Sequence, residues 1–321
     1  MKYRALGTTG MRVSEIGLGA WQIGGPVRGY FEKLGWIAHG WGDVDDAASV
    51  RMIHALGDVG VNFIDTAAVY GAGHSEEVVG QALKGQRQKW IVETKGGEGF
   101  DQDGINWRDF SRERLLREIE DSLKRLATDY VDVYLLHSPN DAVLAQGECL
   151  EALEEIKRSG KARAVGASIS WTQIPFCIET GIMDVLQVHV NILSPSAVAE
   201  NLTLAGESGV GVVARGAMGS GFFAGSVDAS TGFPDNDRRS WQADQSKSRS
   251  AAVAQAFAFL QTPERSLAQS LLRYLLELRG VSTVIVGSKS LEHMLENAAA
   301  ADTPPLSAEE LARIEEVRAS L

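Results

Sequence analysis

The feature that most constrains this chain is a cadence in which short runs of β-branched and apolar residues alternate with longer segments of helical period. Eight such runs occur: Ile16-Gly-Leu, Asn62-Phe-Ile-Asp, Trp90-Ile-Val-Glu-Thr, Val131-Asp-Val-Tyr-Leu-Leu, Ala162-Arg-Ala-Val-Gly, Val185-Leu-Gln-Val, Gly211-Val-Val-Ala and Val284-Ile-Val. Between them, Asp45 to Val59 carries Met52, Ile53 and Leu56, and Ser111 to Leu126 sets Leu115, Ile119, Leu123 and Leu126 on one stripe. Glu148 to Gly160 carries Leu150, Leu153 and Ile156; Thr262-Pro263 reads as a helix start ahead of Leu267, Leu271, Leu275 and Leu278, with Gly280 as its stop. Alternation of this kind implies parallel pairing, because parallel neighbours need a crossover connection. Eight units match a closed (β/α)8 TIM barrel, with residues 1–321 as a single domain. An open doubly wound sheet is the competitor, but no Gly-x-Gly-x-x-Gly follows the first strand to support it. Arg4 to Ser14, with Gly7 and Gly10, reads as an N-terminal β-hairpin outside the repeat.

Three long connections are expected at the C-terminal mouth of such a barrel. Ala20 to Asp46 carries Trp21, Tyr30, Phe31, Trp36 and Trp41; Gly96 to Phe110 carries Trp107; Arg215 to Ser250 carries Trp241. Loops of that length are commonly lids or binding loops, and their aromatics serve either to bind or simply to seal the barrel.

Asp65, Lys95 and His137 each end a strand on neighbouring strands, and Tyr70 follows the first of them. Singly, each has a plain role: Asp65 caps a turn, Lys95 snorkels outward, His137 bonds a carbonyl, Tyr70 packs. Together at one mouth they fit proton delivery to a carbonyl oxygen as a hydride arrives at its carbon. A free phenol titrates at about 10. Lys95 is expected to pull Tyr70 down to about 7 or 8, with Asp65 holding Lys95 charged. His137 would donate to the carbonyl oxygen and share its developing charge. Side chains supply no hydride, so the chemistry calls for a cofactor. Two stretches suit its phosphates: Gly287-Ser-Lys-Ser290, which opens a helical segment to Ala300, and Gly216-Ala-Met-Gly-Ser-Gly221.

Composition narrows the partners. The net charge of −11 argues against a nucleic-acid surface, and no apolar run approaches the roughly 18 residues of a membrane span. The first residues lack a secretory core, and Cys149 and Cys177 are too few for a disulfide framework or a cysteine metal cluster. The expectation is a cytoplasmic protein with no metal, acting on a small molecule.

Taken together, Asn62-Phe-Ile-Asp-Thr-Ala-Ala-Val-Tyr-Gly71, Gly73-His-Ser-Glu76, Thr94-Lys95, Leu135-Leu-His137 and Gly287-Ser-Lys-Ser290 resemble the aldo-keto reductase superfamily, from Leu6 to Asn297. The resemblance implies a barrel that binds NADP(H), in preference to NAD(H), without a Rossmann fold and reversibly reduces aldehydes or ketones. It puts Asp65, Tyr70, Lys95 and His137 on the catalytic tetrad. It implies that Ser168 and Gln187 hold the nicotinamide carboxamide. Lys289 would meet the 2′-phosphate with Ser288 and His293 nearby, and Glu296 and Asn297 would reach the adenine. Gly216, Met218, Gly219 and Gly287 fall in the phosphate loops. Trp21 would line the substrate side of the nicotinamide, and Trp107 is a further candidate for the substrate. Ile169 stands where many members carry asparagine, and Arg215 where many carry an aromatic on the nicotinamide. Two rival readings are a cofactor-sensing regulatory subunit with little turnover and a barrel aldolase that uses Lys95 as a Schiff-base nucleophile.

Overall fold

The eight apolar runs pair with one another in chain order. In a computed structural model describing residues 1–225, 227–228, 230–241 and 244–320, the strands are β1 (Ile16–Gly19), β2 (Phe63–Asp65), β3 (Ile91–Gly96), β4 (Val131–His137), β5 (Ala162–Ile169), β6 (Val185–His189), β7 (Gly211–Arg215) and β8 (Val281–Val286). All neighbours are parallel, and β8 returns to β1 through Val286↔Leu18, closing the expected (β/α)8 barrel.

Strand residues alternate between two apolar environments. Phe63, Val133, Leu135, Ala164, Val185, Val213 and Ile285 fill the barrel interior, where Leu6, Met11 and Val13 join them. Those three come from the N-terminal hairpin, Tyr3–Ala5 with Arg12–Ser14, which plugs the lower end as the glycine spacing suggests. Residues of the opposite parity, such as Leu18, Ile64, Tyr134 and Leu186, pack outward against the helices. Each fully buried aliphatic side chain contributes about 1.5–3 kcal/mol.

Helix ends explain where sequence reading and structure part. Asp45 accepts the Ala48 N–H at 2.9 Å, so the first long helix starts at Asp46. The start expected at Thr262-Pro263 lies instead at Ser266, whose hydroxyl accepts from the Gln269 backbone at 3.2 Å while the Gln269 side chain accepts from the Ser266 N–H at 3.0 Å. This reciprocal cap outcompetes the proline signal, and Thr262 closes a tight turn onto Arg265 at 2.9 Å.

The long connections are more ordered than the word loop suggests. The first holds a 3-10 turn (Ala20–Gly24) and a hairpin of Arg28–Phe31 with Gly35–Ala38. The second is a hairpin of Glu98–Phe100 with Asn106–Arg108. The third runs into a helix at Asp244–Ala256, and positions 226, 229, 242 and 243 of it lie outside the described residues. No helix among the described residues is long and apolar enough to cross a membrane.

Asp132 of β4, 1% exposed, ties the outer wall by accepting from Arg87 at 2.8 Å, Arg163 at 2.6 Å and the Val92 N–H at 3.0 Å. Replacing it with alanine takes the carboxylate from a largely buried guanidinium, which keeps only the Trp90 and Tyr130 carbonyls, and leaves the buried Val92 N–H unpaired. The expected cost is about 3 kcal/mol, read as a lower urea midpoint at unchanged slope; a loss under about 1 kcal/mol would show that water compensates both donors.

Candidate active site

β2, β3 and β4 deliver Asp65, Lys95 and His137 to the same end of the barrel. Tyr70 is returned to them by a short turn, Tyr70–Gly73, in which Gly71 (φ 62°) and Ala72 (φ 54°) are left-handed. A Cβ on Gly71 would collide with the Gly24 carbonyl, so the turn requires glycine there. The Lys95 ammonium has no solvent exposure and uses all three of its donors: on the Asp65 carboxylate, on the Thr66 carbonyl at 2.9 Å and on the Tyr70 hydroxyl at 3.2 Å. His137 meets the Tyr70 ring edge to face, centroids 5.7 Å apart. Trp21 stacks on the same ring at 5.2 Å and 12°. The four tetrad candidates therefore converge on one phenol.

A further acid lies beneath them. Glu93, two residues before Lys95 on β3, is fully buried, pairs in register with Asp65, and leaves its Oε2 without a partner. The Gln187 amide donates to Asp65 at 2.8 Å and to Glu93 at 2.6 Å, while the Ser168 hydroxyl donates to the Gln187 carbonyl at 3.1 Å. Ser168, level with His137 in the β4–β5 register, thus backs Gln187, whose amide is engaged with Asp65. Sequence reading passed over Glu93, although a strand's period of two places positions 93 and 95 on the same face.

Two buried carboxyls share one ammonium, so charge balance leaves one of them protonated. That one is Glu93: burial, then the charge of Asp65, pushes it well above the ordinary carboxylate range. Burial lowers Lys95, but the Asp65 carboxylate bonded to it outweighs that, and the ammonium stays protonated. His137 is held well below its usual value, by burial first and then by Lys95 and Arg215, and is a neutral imidazole. Tyr70 departs from expectation. Burial raises it, and this exceeds the lowering by Lys95; in this pocket the loss of water around a phenolate outweighs one nearby ammonium that is shared with Asp65.

Around the opening, Trp21 Nε1, His39 Nδ1, Trp41 Nε1, His137 Nδ1 and Asn236 Oδ1 are buried with no hydrogen-bond partner. Each such atom costs about 1–3 kcal/mol, so their gathering at one mouth fits a polar ligand. A dinucleotide suits the β7 and β8 side. Arg215 ends β7, Gly216 (φ 87°) and Gly219 (φ 51°) flank Met218 in left-handed turns, and a Cβ on Gly287 would strike the Gly19 carbonyl. Ser288 accepts the Ser290 N–H at 3.0 Å, and Ser290 caps the next helix by accepting from His293 at 3.3 Å. Lys289 donates to the carbonyls of Trp41 at 2.8 Å and Asp43 at 3.1 Å, clipping the first connection to the mouth and leaving one donor over. Glu296 is half-buried and Asn297 buried on that helix, away from the tetrad. Trp107 lies apart from the mouth aromatics, its indole under the Arg114 guanidinium at 3.6 Å.

A model described as the aldo/keto reductase family matches residues 15–319. The chain is 30% identical over 297 residues to aldo-keto reductase YhdN of Bacillus subtilis, covering 90% of this chain and 85% of that protein. It is 33% identical over 241 residues to the NADH-specific methylglyoxal reductase of Escherichia coli, covering 71% and 70% respectively. Among solved structures, the holo form of aldo-keto reductase AKR11C1 from Bacillus halodurans superposes with a TM-score of 0.78 at 29% identity, covering 99% of this chain and 96% of that one.

Glu93→Gln tests the charge balance. A carboxyl whose folded value is raised keeps a proton that the unfolded chain gives up, so wild-type stability falls as pH climbs from about 4.3, the unfolded value, toward the raised folded value. Glutamine, an uncharged isostere, removes that slope. The variant should be more stable than wild type at pH 8 by a wider margin than at pH 5 in urea titrations; a margin that shrinks with pH would mean Glu93 is ionised.

Proposed function

The chain belongs to the aldo/keto reductase family, whose members use nicotinamide cofactors, and from that premise we propose that it reduces an aldehyde or ketone with NADP(H), with Tyr70 as general acid. The observation that carries this reading is the single Lys95 ammonium bonded at once to Asp65 and to the Tyr70 hydroxyl.

NADPH, when bound, supplies the hydride to the carbonyl carbon. The carbonyl oxygen takes up the electron pair of the C=O bond, and the Tyr70 O–H protonates it to the alcohol. Lys95 stabilises the phenolate left behind, and water returns a proton to Tyr70 before the next cycle. His137, neutral and therefore still a donor, holds the carbonyl oxygen in line with Tyr70. Because burial keeps Tyr70 protonated, the acid is in its working form at neutral pH.

Ser168 and Gln187 are assigned to the carboxamide. Arg215, Gly216, Met218, Gly219, Gly287, Ser288 and Lys289 are assigned to the phosphates, with His293 beside Lys289 and with Glu296 and Asn297 at the adenine. Trp21 is assigned to the substrate side. Free, buried Cys149 and Cys177 suit a reducing cytoplasm. A sensor subunit has no need of a complete acid site. A Schiff-base aldolase needs an uncharged lysine, whereas Lys95 is held protonated by Asp65.

Tyr70→Phe should lower kcat by about 10²- to 10⁴-fold while cofactor binding, followed by quenching of protein fluorescence, stays at the wild-type level. Turnover undiminished in that variant would move the acid elsewhere. Lys289→Ala should raise KM for NADPH about 10-fold more than KM for NADH, since a charge-assisted phosphate contact is worth about 1.5–3 kcal/mol. The same loss with both cofactors would separate Lys289 from the 2′-phosphate.

A further inference from the structure

The third long connection folds back over the first and carries Arg238 to the mouth. Its path is fixed by backbone bonds from Arg238 N–H to the Gly40 carbonyl at 2.8 Å and from Gly42 N–H to the Asn236 carbonyl at 3.1 Å, with Trp41 and Asp237 forming a bridge. The Trp241 indole donates to the Ala38 carbonyl at 3.0 Å and pins the far side. Arg238 is half-buried, its guanidinium 4.0 Å from the Trp21 ring and 5.5 Å from Trp41. Among the described residues no carboxylate pairs with it. The adjacent one, Asp237, is taken by Arg239, which donates to both of its oxygens at 2.9 and 2.7 Å.

Arg238 is not alone in lacking an acceptor. The indole nitrogens of Trp21 and Trp41 are buried and unpartnered, Trp41 being only 6% exposed, and an indole N–H donates only. His39, packed against Trp21 with centroids 5.2 Å apart, brings no charge, since burial and then Arg238 lower it to about 4. Three donors without a hydrogen-bond partner among the described residues, on Trp21, Trp41 and Arg238, thus gather at this indole, which lies against the phenol of Tyr70. Burial, only partly opposed by Asp237, lowers the Arg238 guanidinium to about 10, still charged at neutral pH.

We propose that Arg238, with the indole N–H groups of Trp21 and Trp41, binds an anionic group on the substrate, so that this enzyme takes short carbonyl compounds ending in a carboxylate or phosphate. The inference rests on the reductase reading of the same site. The carbonyl lies at Tyr70 and His137 and the anion on the far side of Trp21. A planar, permanently charged guanidinium suits either oxyanion. Arg215, on the β7 side, is left for the cofactor. The cofactor diphosphate is the competing source of negative charge, and the experiment separates the two.

The purified protein is assayed with NADPH and NADH against butanal and 4-oxobutanoate, which have the same chain length and differ in a terminal carboxylate. Wild type should show the higher kcat/KM for 4-oxobutanoate. Arg238→Gln should lose about 10- to 100-fold on that substrate and far less on butanal, with Arg238→Lys recovering part of the loss. Cofactor affinity, measured by fluorescence without aldehyde, should be unchanged in both variants. Equal loss on the two aldehydes, or no wild-type preference, overturns the proposal. A loss confined to cofactor affinity overturns it too and gives Arg238 to the diphosphate. Cofactor oxidation by wild type with butanal alone would sink the anion site and leave the reductase standing, whereas no oxidation with either aldehyde would sink both.

Discussion

The site depends on an ammonium that water cannot reach. An isolated buried Lys side chain costs several kcal/mol in lost hydration, which only close acceptors recover. Lys95 has three, each placed by a different constraint. Asp65 arrives because β2 ends beside β3; the Thr66 carbonyl follows from the next peptide. The Tyr70 hydroxyl arrives because Gly71 permits a left-handed turn closed to residues with a Cβ. The strained Ala72 beside it (φ 54°) belongs to the same turn. Folding energy is thus spent on aiming one phenol.

Burial and charge oppose each other at that phenol, and the order in which they act shapes the chemistry. Were Lys95 free to act on Tyr70 alone, it would favour the phenolate. Its charge is shared with Asp65, and Asp65 raises the phenol in its own right. Glu93 enters here: by keeping its proton, it spares Lys95 a second anion and leaves the pair close to neutral. With Tyr70 as the proposed acid, a phenol that resists ionisation would surrender its proton only to an oxygen that has already gathered charge.

The barrel was legible because its strands are short, apolar and evenly spaced, and the convergence of Asp65, Tyr70, Lys95 and His137 because each ends a strand or follows one. Asp65, Lys95 and His137 needed no knowledge of side-chain packing, only of strand order. Helix starts were legible where a single cap dominates, as at Asp45, and were misread at Thr262, where the two-way cap at Ser266 wins. The hairpins at 28–38 and 98–108 escaped notice because strands of three or four residues show too little alternation. The direction of the Tyr70 shift was lost for another reason: a sequence names the neighbouring charge but not how completely water is excluded. The placing of Arg238 over Trp21 was not legible, since it spans more than 200 positions and depends on backbone bonds between two connections.

The charge pattern ties these parts together. A chain of net charge −11 would repel an anion from most of its surface, yet Lys95 and Arg215 act on the ionisation of Tyr70 and His137, and Arg238 on that of His39. Low-dielectric walls of Trp21, Trp41, Phe31 and Phe100 around His39 concentrate that local field. A dinucleotide bound as proposed would bring several negative charges to the β7 and β8 side, toward Arg215 and Lys289, and would leave the cation beside Trp21 uncompensated. The positive charge at the mouth is divided between two sides of the opening because Arg215 ends a strand while Arg238 rides a connection laid across the first.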